Sequence, residues 1–314
     1  MNNLDIITVK EAISGPVPSF STPFTRDGEI DWPGVDRTID FLIASGAKSL
    51  LLTNGDSLLT VLSDRESELL LKRIVCGVKG KALVLAGGKA WCTKQTLEYM
   101  RFARETGADI GLPMIPDWAQ SAGADEMFSL LEASGRILPT MALTNLCSNR
   151  GIPASVFQRL IIEHTPGFVG VKDDMTGSYG RRLAALLGGQ YAFLSGGRAE
   201  NHLDVAPYGA DGYLSIFMRV KPEKAWQYWN LWQSGDLDGC ARWIMRYEVP
   251  FMDFVSQSGL HFDLVIHAIM EIEGICGRWR RSPYRSATDE DMEKIRSFWN
   301  RLVRMSVEAI EKHA

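Results

Sequence analysis

Eight short aliphatic-rich runs, at residues 17–21, 49–53, 82–86, 110–114, 137–143, 168–172, 192–195 and 212–215, alternate with stretches whose apolar positions recur at helical spacing. Runs of this length bounded by glycine, proline and polar residues predict buried parallel strands. The first stretch between them puts Val35, Ile39, Leu42 and Ile43 on one helical face and stops at Gly46. The next opens on Ser63-Asp64-Arg65-Glu66, a capping box in which serine and glutamate each satisfy an amide left unbonded at a helix start. Gly80, Gly107 and Gly135 each stand shortly before a new strand and predict helix ends. About eight strand–helix units in roughly 220 residues predict a (β/α)8 barrel. After Lys221-Pro222 the strand pattern ends. Residues 221–314 therefore predict the last barrel helix and a C-terminal helical extension on a 1–220 core, and nothing reads as an interdomain linker. Trp226, Trp229 and Trp232 recur every three residues there, which predicts a packing stripe.

Composition narrows the partners. The 314 residues are 46% hydrophobic and 23% charged, with a net charge of −4, which argues against nucleic acid and for an ordinary globular chain. The stretch from Gly277 to Arg285 interleaves arginines with aromatics, and against an acidic chain it reads as a solvated interhelix loop. No export signal or membrane span is visible. Cys76, Cys92, Cys147, Cys240 and Cys276 are odd in number and widely spaced, as expected of reduced thiols in a cytoplasmic protein. His202, His261 and His267 show no metal-ligand spacing, so no metal is expected.

The strand ends carry the candidate chemistry. Lys172 closes the apolar run that begins at Gly167, so its amine stands where a strand leaves the sheet, and barrel enzymes draw catalytic side chains from those ends. A lysine held there is a candidate Schiff-base nucleophile. The alternative is a surface lysine paired with Asp173 or Asp174. Imine formation predicts instead that both aspartates turn away from the amine. Lys89, after the third run, is a rival nucleophile or a second positive charge at the mouth.

Read together, the strand ends resemble the dihydrodipicolinate synthase and N-acetylneuraminate lyase family from about Gly15 onward. The resemblance rests on Thr22-Pro23-Phe24, Leu62-Ser63-Asp64-Arg65-Glu66, Gly107-Ala108-Asp109, Gly170-Val171-Lys172, Ser195-Gly196 and Gly209-Ala210-Asp211-Gly212, in that order and spacing. It implies a lyase that forms an imine between Lys172 and a 2-oxo acid, such as pyruvate or a 2-keto-3-deoxy sugar acid, without a cofactor. The family's carboxylate-binding Gly-Thr-Thr-Gly-Glu is here Leu52-Thr53-Asn54-Gly55-Asp56, which implies binding by Thr53, Asn54 and Gly55, with Asp56 orienting the loop. Gly196 and Ser215 fall at its substrate-facing turns.

The family's proton-relaying tyrosine is missing: its position falls on Leu143 counted from Pro139, or on Thr144 counted from Gly151. A second tyrosine, supplied across a subunit contact, is replaced within Pro116-Asp117-Trp118. Asp117, Thr144 or a water held by Asn145 are the candidate substitutes. Arg150 resembles an arginine that grips a second substrate carboxylate. The resemblance also implies a homo-oligomer, dimer or tetramer. A catalytically silent barrel that binds a small acid is the alternative function.

Overall fold

A computed structural model describes residues 4–146 and 150–304 of the chain. Helix α1 (Ile6–Ile13) leads into β1 (Pro16–Val17), α2 (Trp32–Ala44), β2 (Ser49–Leu51), α3 (Asp64–Val78), β3 (Leu83–Gly87) and α4 (Thr93–Thr106). Then come β4 (Ile110–Leu112), α5 (Ala124–Gly135), β5 (Thr140–Leu143), α6 (Ala154–Ile162), β6 (Phe168–Asp173), α7 (Gly177–Leu187), β7 (Ala192–Ser195), α8 (Ala199–Val205) and β8 (Gly212–Leu214). The described chain ends with α9 (Pro222–Gln233), α10 (Leu237–Trp243), α11 (Val249–Ser258), α12 (Phe262–Ile272) and α13 (Asp289–Arg304). The eight strands form one all-parallel sheet in the order β1-β8-β7-β6-β5-β4-β3-β2. A parallel bridge from Ser19 to Leu51 joins its two edges. The result is a (β/α)8 barrel with a helical extension.

Proline explains two of the places where observed strands fall short of the aliphatic runs. Pro113 has no amide to donate, so β4 stops at Leu112 rather than at residue 114. Ile137 and Leu138 both donate to the Ser134 carbonyl, so the residues before Pro139 finish the α5 turn and β5 begins at Thr140. The capping box at Ser63 and Glu66 forms as expected. Gly107 caps α4 with a φ of 96°, a conformation that a side chain would strain. Gly135 differs, being the last residue of α5 with Arg136 as the cap. Its missing side chain leaves room for the Pro166 carbonyl.

Strand alternation divides the side chains between two cores. Val17, Leu51, Leu85, Ile110, Met141, Val169 and Leu194 fill the barrel interior, where Val9 and Ile13 of α1 close the floor. Leu50, Val84, Val171 and Phe193 point outward and pack under the helices. The tryptophan stripe of α9 is a packing surface: Trp226 donates to the Ser45 carbonyl, while Trp229 and Trp232 flank His202.

The arginine-rich loop before α13 is only partly solvated, which corrects the reading of its sequence pattern. Arg280 is buried against Asp263, and Arg278 and Arg285 pair with Asp289 and Asp291. Arg281 donates to the Gly28 and Val61 carbonyls and to both Glu66 oxygens. That contact holds the Glu66 carboxyl down at about 2, chiefly through the Arg281 bonds. Carboxylates on other elements therefore bind this loop to the rest of the fold.

Candidate active site

Lys172 sits in β6 between Leu143 of β5 and Leu194 of β7, and register partners in a parallel sheet share a face. Leu194 belongs to the barrel interior, so Lys172 points inward too. It is only 4% exposed, which removes the surface-lysine alternative. Its amine donates to both carboxylate oxygens of Asp174, at 2.6 and 2.5 Å.

The two aspartates behave differently, which corrects the expectation that both turn away. Asp173 does so: it accepts from the Thr144 hydroxyl at 2.8 Å and from the Met175 and Thr176 amides. Burial raises its carboxyl above the usual range, against those hydrogen bonds. These bonds reverse the chain after β6. Asp174 is then aimed back at the mouth, its own amide bonded to the Thr144 hydroxyl. Gly196 makes this possible, because a Cβ there would collide with the Asp174 carboxylate.

Leu143 and Thr144 are now separable. Leu143 follows the interior residue Met141 by two positions and stands beside Lys172. Thr144 is fully buried, with its hydroxyl between Asp173 and the Asp174 amide; its own amide donates to the Lys172 carbonyl, but its hydroxyl does not bond to the lysine amine. Asn145 forms a bridge with Gly151. Cys147 and Asn149 lie outside the described residues.

Across the barrel, the loop after β2 folds on itself. The Thr53 amide donates to the Ser57 hydroxyl, and the Thr53 hydroxyl accepts from the Asp56 amide. Asn54 is half-buried and Gly55 exposed. Asp56 accepts from the Ser19 hydroxyl at 2.7 Å and pairs with Arg219 at 3.4 Å. Burial pushes its carboxyl up, but Arg219, Ser19 and Lys172 together outweigh burial and hold it below the ordinary range. Asp56 thus links the lysine side of the mouth to the β8 side.

Two predicted residues are occupied elsewhere. Lys89 donates to the Leu62 carbonyl at 2.6 Å and to Asp64 at 2.9 Å, so α3 holds its amine. Arg150 makes a forked contact with Asp117, at 2.8 and 3.3 Å, and donates to the Ala122 carbonyl. It ties the chain after β5 to the β4–α5 loop. Trp118 in that loop is 85% exposed.

A cavity of about 240 Å³ opens at the end of β8, lined by Asp56, Arg198, Ser215, Arg219, Met252 and Phe262 among others. Ser215 accepts from the Met218 amide at 3.3 Å. Asp174, Ser19 and Arg219 were not among the residues expected from sequence. Arg219 had a readable signal, since it interrupts the apolar run Ile216-Phe217-Met218-Arg219-Val220, where a charge needs a reason. Asp174 had none beyond adjacency. Among the described residues no three His, Cys, Asp or Glu side chains cluster as a metal site, and no helix is long and apolar enough to cross a membrane.

Comparison with known proteins identifies the family and the fold. A sequence model of the dihydrodipicolinate synthetase family matches residues 12–301. The 4-hydroxy-tetrahydrodipicolinate synthase 1 of Streptomyces coelicolor is 29% identical over 277 residues, covering 86% of this chain and 87% of that protein. N-acetylneuraminate lyase from Mycoplasma synoviae superposes with a TM-score of 0.80 at 20% identity, over 93% of this chain and 98% of its own. N-acetylneuraminate lyase from Fusobacterium nucleatum, solved with pyruvate, superposes at 0.81 with 15% identity, over 93% and 98% of the two chains. The chain belongs to the dihydrodipicolinate synthetase family, and its relatives are lyases.

Proposed function

We propose that the protein captures a 2-oxo acid as an imine on Lys172 and acts as a class I lyase with dihydrodipicolinate synthase-like chemistry. The observation that carries this reading is an inward-facing, buried lysine at the carboxyl end of a barrel strand, with a carboxylate on its amine. Attack on the C2 carbonyl needs the nitrogen lone pair, so a proton must leave the amine. Asp174 is the acceptor already in contact. Loss of water from the carbinolamine takes that proton back from Asp174 and gives a protonated imine, which draws in electrons as Asp174 accepts a C3 proton, or accepts the C4 hydroxyl proton while the C3–C4 bond breaks. The Asp174 carboxylate is the counter-ion of that cation, and it returns the accepted proton to C3 when the enamine is discharged. Thr53, Asn54 and Gly55 offer hydroxyl and amide donors for the C1 carboxylate. Aldol cleavage, aldol condensation and dehydration of a 2-keto-3-deoxy sugar acid all pass through such an enamine. The pyruvate held by a solved lyase of this fold supports a 2-oxo acid as substrate.

Asp174 takes the place of the substitutes expected from sequence. Asp117 is bonded to Arg150 and Thr144 to Asp173. A silent barrel that binds a small acid is the second reading, favoured by Leu143, which puts a side chain unable to carry a proton beside the amine.

Borohydride reduction separates the two. With a panel of 2-oxo acids, intact mass and peptide mapping should show a stable adduct on Lys172, absent in Lys172→Met. If the folded protein binds these acids yet none is ever fixed to it, the silent reading takes over. We also propose a cytoplasmic homo-oligomer, on the strength of the free thiols of Cys76, Cys92, Cys240 and Cys276 and the exposed Trp118, a fitting interface anchor. Sedimentation as a monomer at micromolar concentration would contradict the assembly.

A further inference from the structure

Arg219 is a buried guanidinium with an unmet donor. It is 4% exposed, pairs with Asp56 at 3.4 Å, donates to the Ser21 hydroxyl at 3.4 Å and stacks over Phe262 at 5.4 Å. All of these leave its Nε without a hydrogen-bond partner. A buried N–H with no acceptor is costly, and a cationic one more so, unless a ligand supplies the missing oxygen. The residue lines the β8 cavity together with Arg198, whose guanidinium reaches Glu200 at 3.3 Å on the more exposed side. The lining thus holds two arginines, Arg219 and Arg198, and one carboxylate residue, Asp56. The rest of the wall includes Leu214, Ile216, Met252 and Phe262, which suit methylene groups rather than a polyol.

From this geometry we infer that the β8 cavity is the subsite for a second anionic group of the substrate, a carboxylate carried on a short apolar spacer, with Arg219 and Arg198 as its specificity-determining residues. The inference rests on the imine reading for the position of the first end of the substrate. Asp56 connects the two ends, since it lines the cavity and also feels the Lys172 charge. Arg150, the sequence-based candidate for this duty, is held by Asp117 and the Ala122 carbonyl. Recognition of the second charge has therefore moved from the β5 side of the mouth to the β8 side. A planar guanidinium suits a carboxylate oxygen, and such charge-assisted bonds are about twice as strong as neutral ones.

Paired acids of equal length test this directly: 2-oxoglutarate against 2-oxopentanoate, and 2-oxoadipate against 2-oxohexanoate. Calorimetric binding and borohydride trapping are measured side by side on the full chain. The expected result is at least about a tenfold preference for the dicarboxylate in each pair. Arg219→Met should reduce that ratio to near one, and Arg198→Met should reduce it in part. Because Arg219→Met leaves the half-buried Asp56 without its cationic partner, the double variant Arg219→Met with Asp56→Asn keeps the site neutral, and it should show the same lost preference. Equal affinity within each pair in the parent protein overturns the inference, as does a preference that survives Arg219→Met and disappears in Arg150→Met. The imine reading is scored separately. Selective dicarboxylate binding with no adduct on Lys172 defeats the imine and leaves the anion subsite standing.

Discussion

The floor and the mouth of this barrel are built by the same strands and the residues that follow them, two or three positions apart, and they obey different rules. At the floor, Leu51, Leu85, Met141 and Val169 meet Val9 and Ile13 of α1, and each is almost fully buried among apolar neighbours. Just above, Ser19, Thr53, Leu143 and Lys172 occupy the next inward positions, with Asp56, Asp174 and Arg219 reaching in from the loops. Floor packing is non-directional, so any aliphatic side chain of suitable volume would serve. Mouth contacts are directional and charged, so each depends on one particular partner. Fold and chemistry are therefore nearly independent here, and substitutions should affect one without the other.

The sharpest break in that comparison is expected from Asp174→Asn. The amide keeps the shape but can neither balance the cation nor carry the proton, and general acid–base help is typically worth about 10² to 10⁴ in rate. Turnover should fall by that order with KM changed far less, while chemical denaturation shows little loss of stability. Steady-state kinetics beside a denaturant titration would check it. Turnover within threefold of the parent would remove Asp174 from the mechanism.

Leu51→Ala should do the reverse. Leu51 is fully buried at the floor, and large-to-small changes at such sites cost about 2–5 kcal/mol through lost contacts and the cavity left behind. Turnover per folded molecule should remain within about twofold. A large fall in turnover without a fall in stability would show that the floor shapes the site more than its contacts suggest.

How much of this was readable in the sequence follows the same division. The strands were legible because burial on both faces forces aliphatic runs, and the capping box was legible because it is a contact between residues three apart. Strand ends were misjudged where Pro113 and Pro139 override a run that looks continuous. At the mouth, Lys172 was legible because a charge ending an apolar run is conspicuous. Its contact with Asp174 was not, since it depends on how Asp173 reverses the chain and on the space beside Gly196. Arg150 with Asp117, and Arg281 with Glu66, join residues 33 and 215 positions apart, a distance at which no local pattern speaks.

Acid should act on the packed body of the molecule before it acts on the mouth. Burial pushes His202 and His267 down to about 3, and for His267 the charges of Arg280 and Arg219 add to the effect. Below about pH 6.5 the unfolded chain takes up protons that the folded one refuses, so both histidines cost stability as pH falls toward 3. Glu248 runs the other way. Burial raises it to about 7 against the Glu200 and Ala199 amides that donate to it, so its contribution is lost as pH rises from 4.5 to 7. Between pH 4.5 and 6.5 one net proton favours the unfolded state, about 1.4 kcal/mol per pH unit. Below 4.5 the slope should steepen, because Glu248 no longer opposes it and Glu66, held near 2, begins to contribute. Melting temperatures across this range should fall accordingly, and more gently in His267→Phe. A melting temperature that stays constant from pH 6.5 to 4 would contradict the buried neutral histidines.

The smallest expected effect, and the most informative about the mouth, comes from Leu143→Tyr. Of the two strand partners of Lys172, Leu194 is buried and Leu143 is partly open to the mouth, and Leu143 shares the lysine's inward face. A phenol there could carry a proton, but it would also take up space and compete for the Asp174 carboxylate. If Asp174 already handles the proton, adding the phenol should lower turnover of the preferred substrate about tenfold, roughly 1.4 kcal/mol, while trapping of pyruvate on Lys172 continues. In the Asp174→Asn background the same phenol should recover part of the lost turnover, because the competing carboxylate is gone and a proton carrier is again present. Increased turnover in the single variant would mean that the site lacks a proton carrier and that Asp174 only neutralises the lysine. Identical turnover and trapping in parent and variant would show that residue 143 does not face the reacting atoms, and the apolar character of the floor would then extend one layer higher than the contacts around Lys172 indicate.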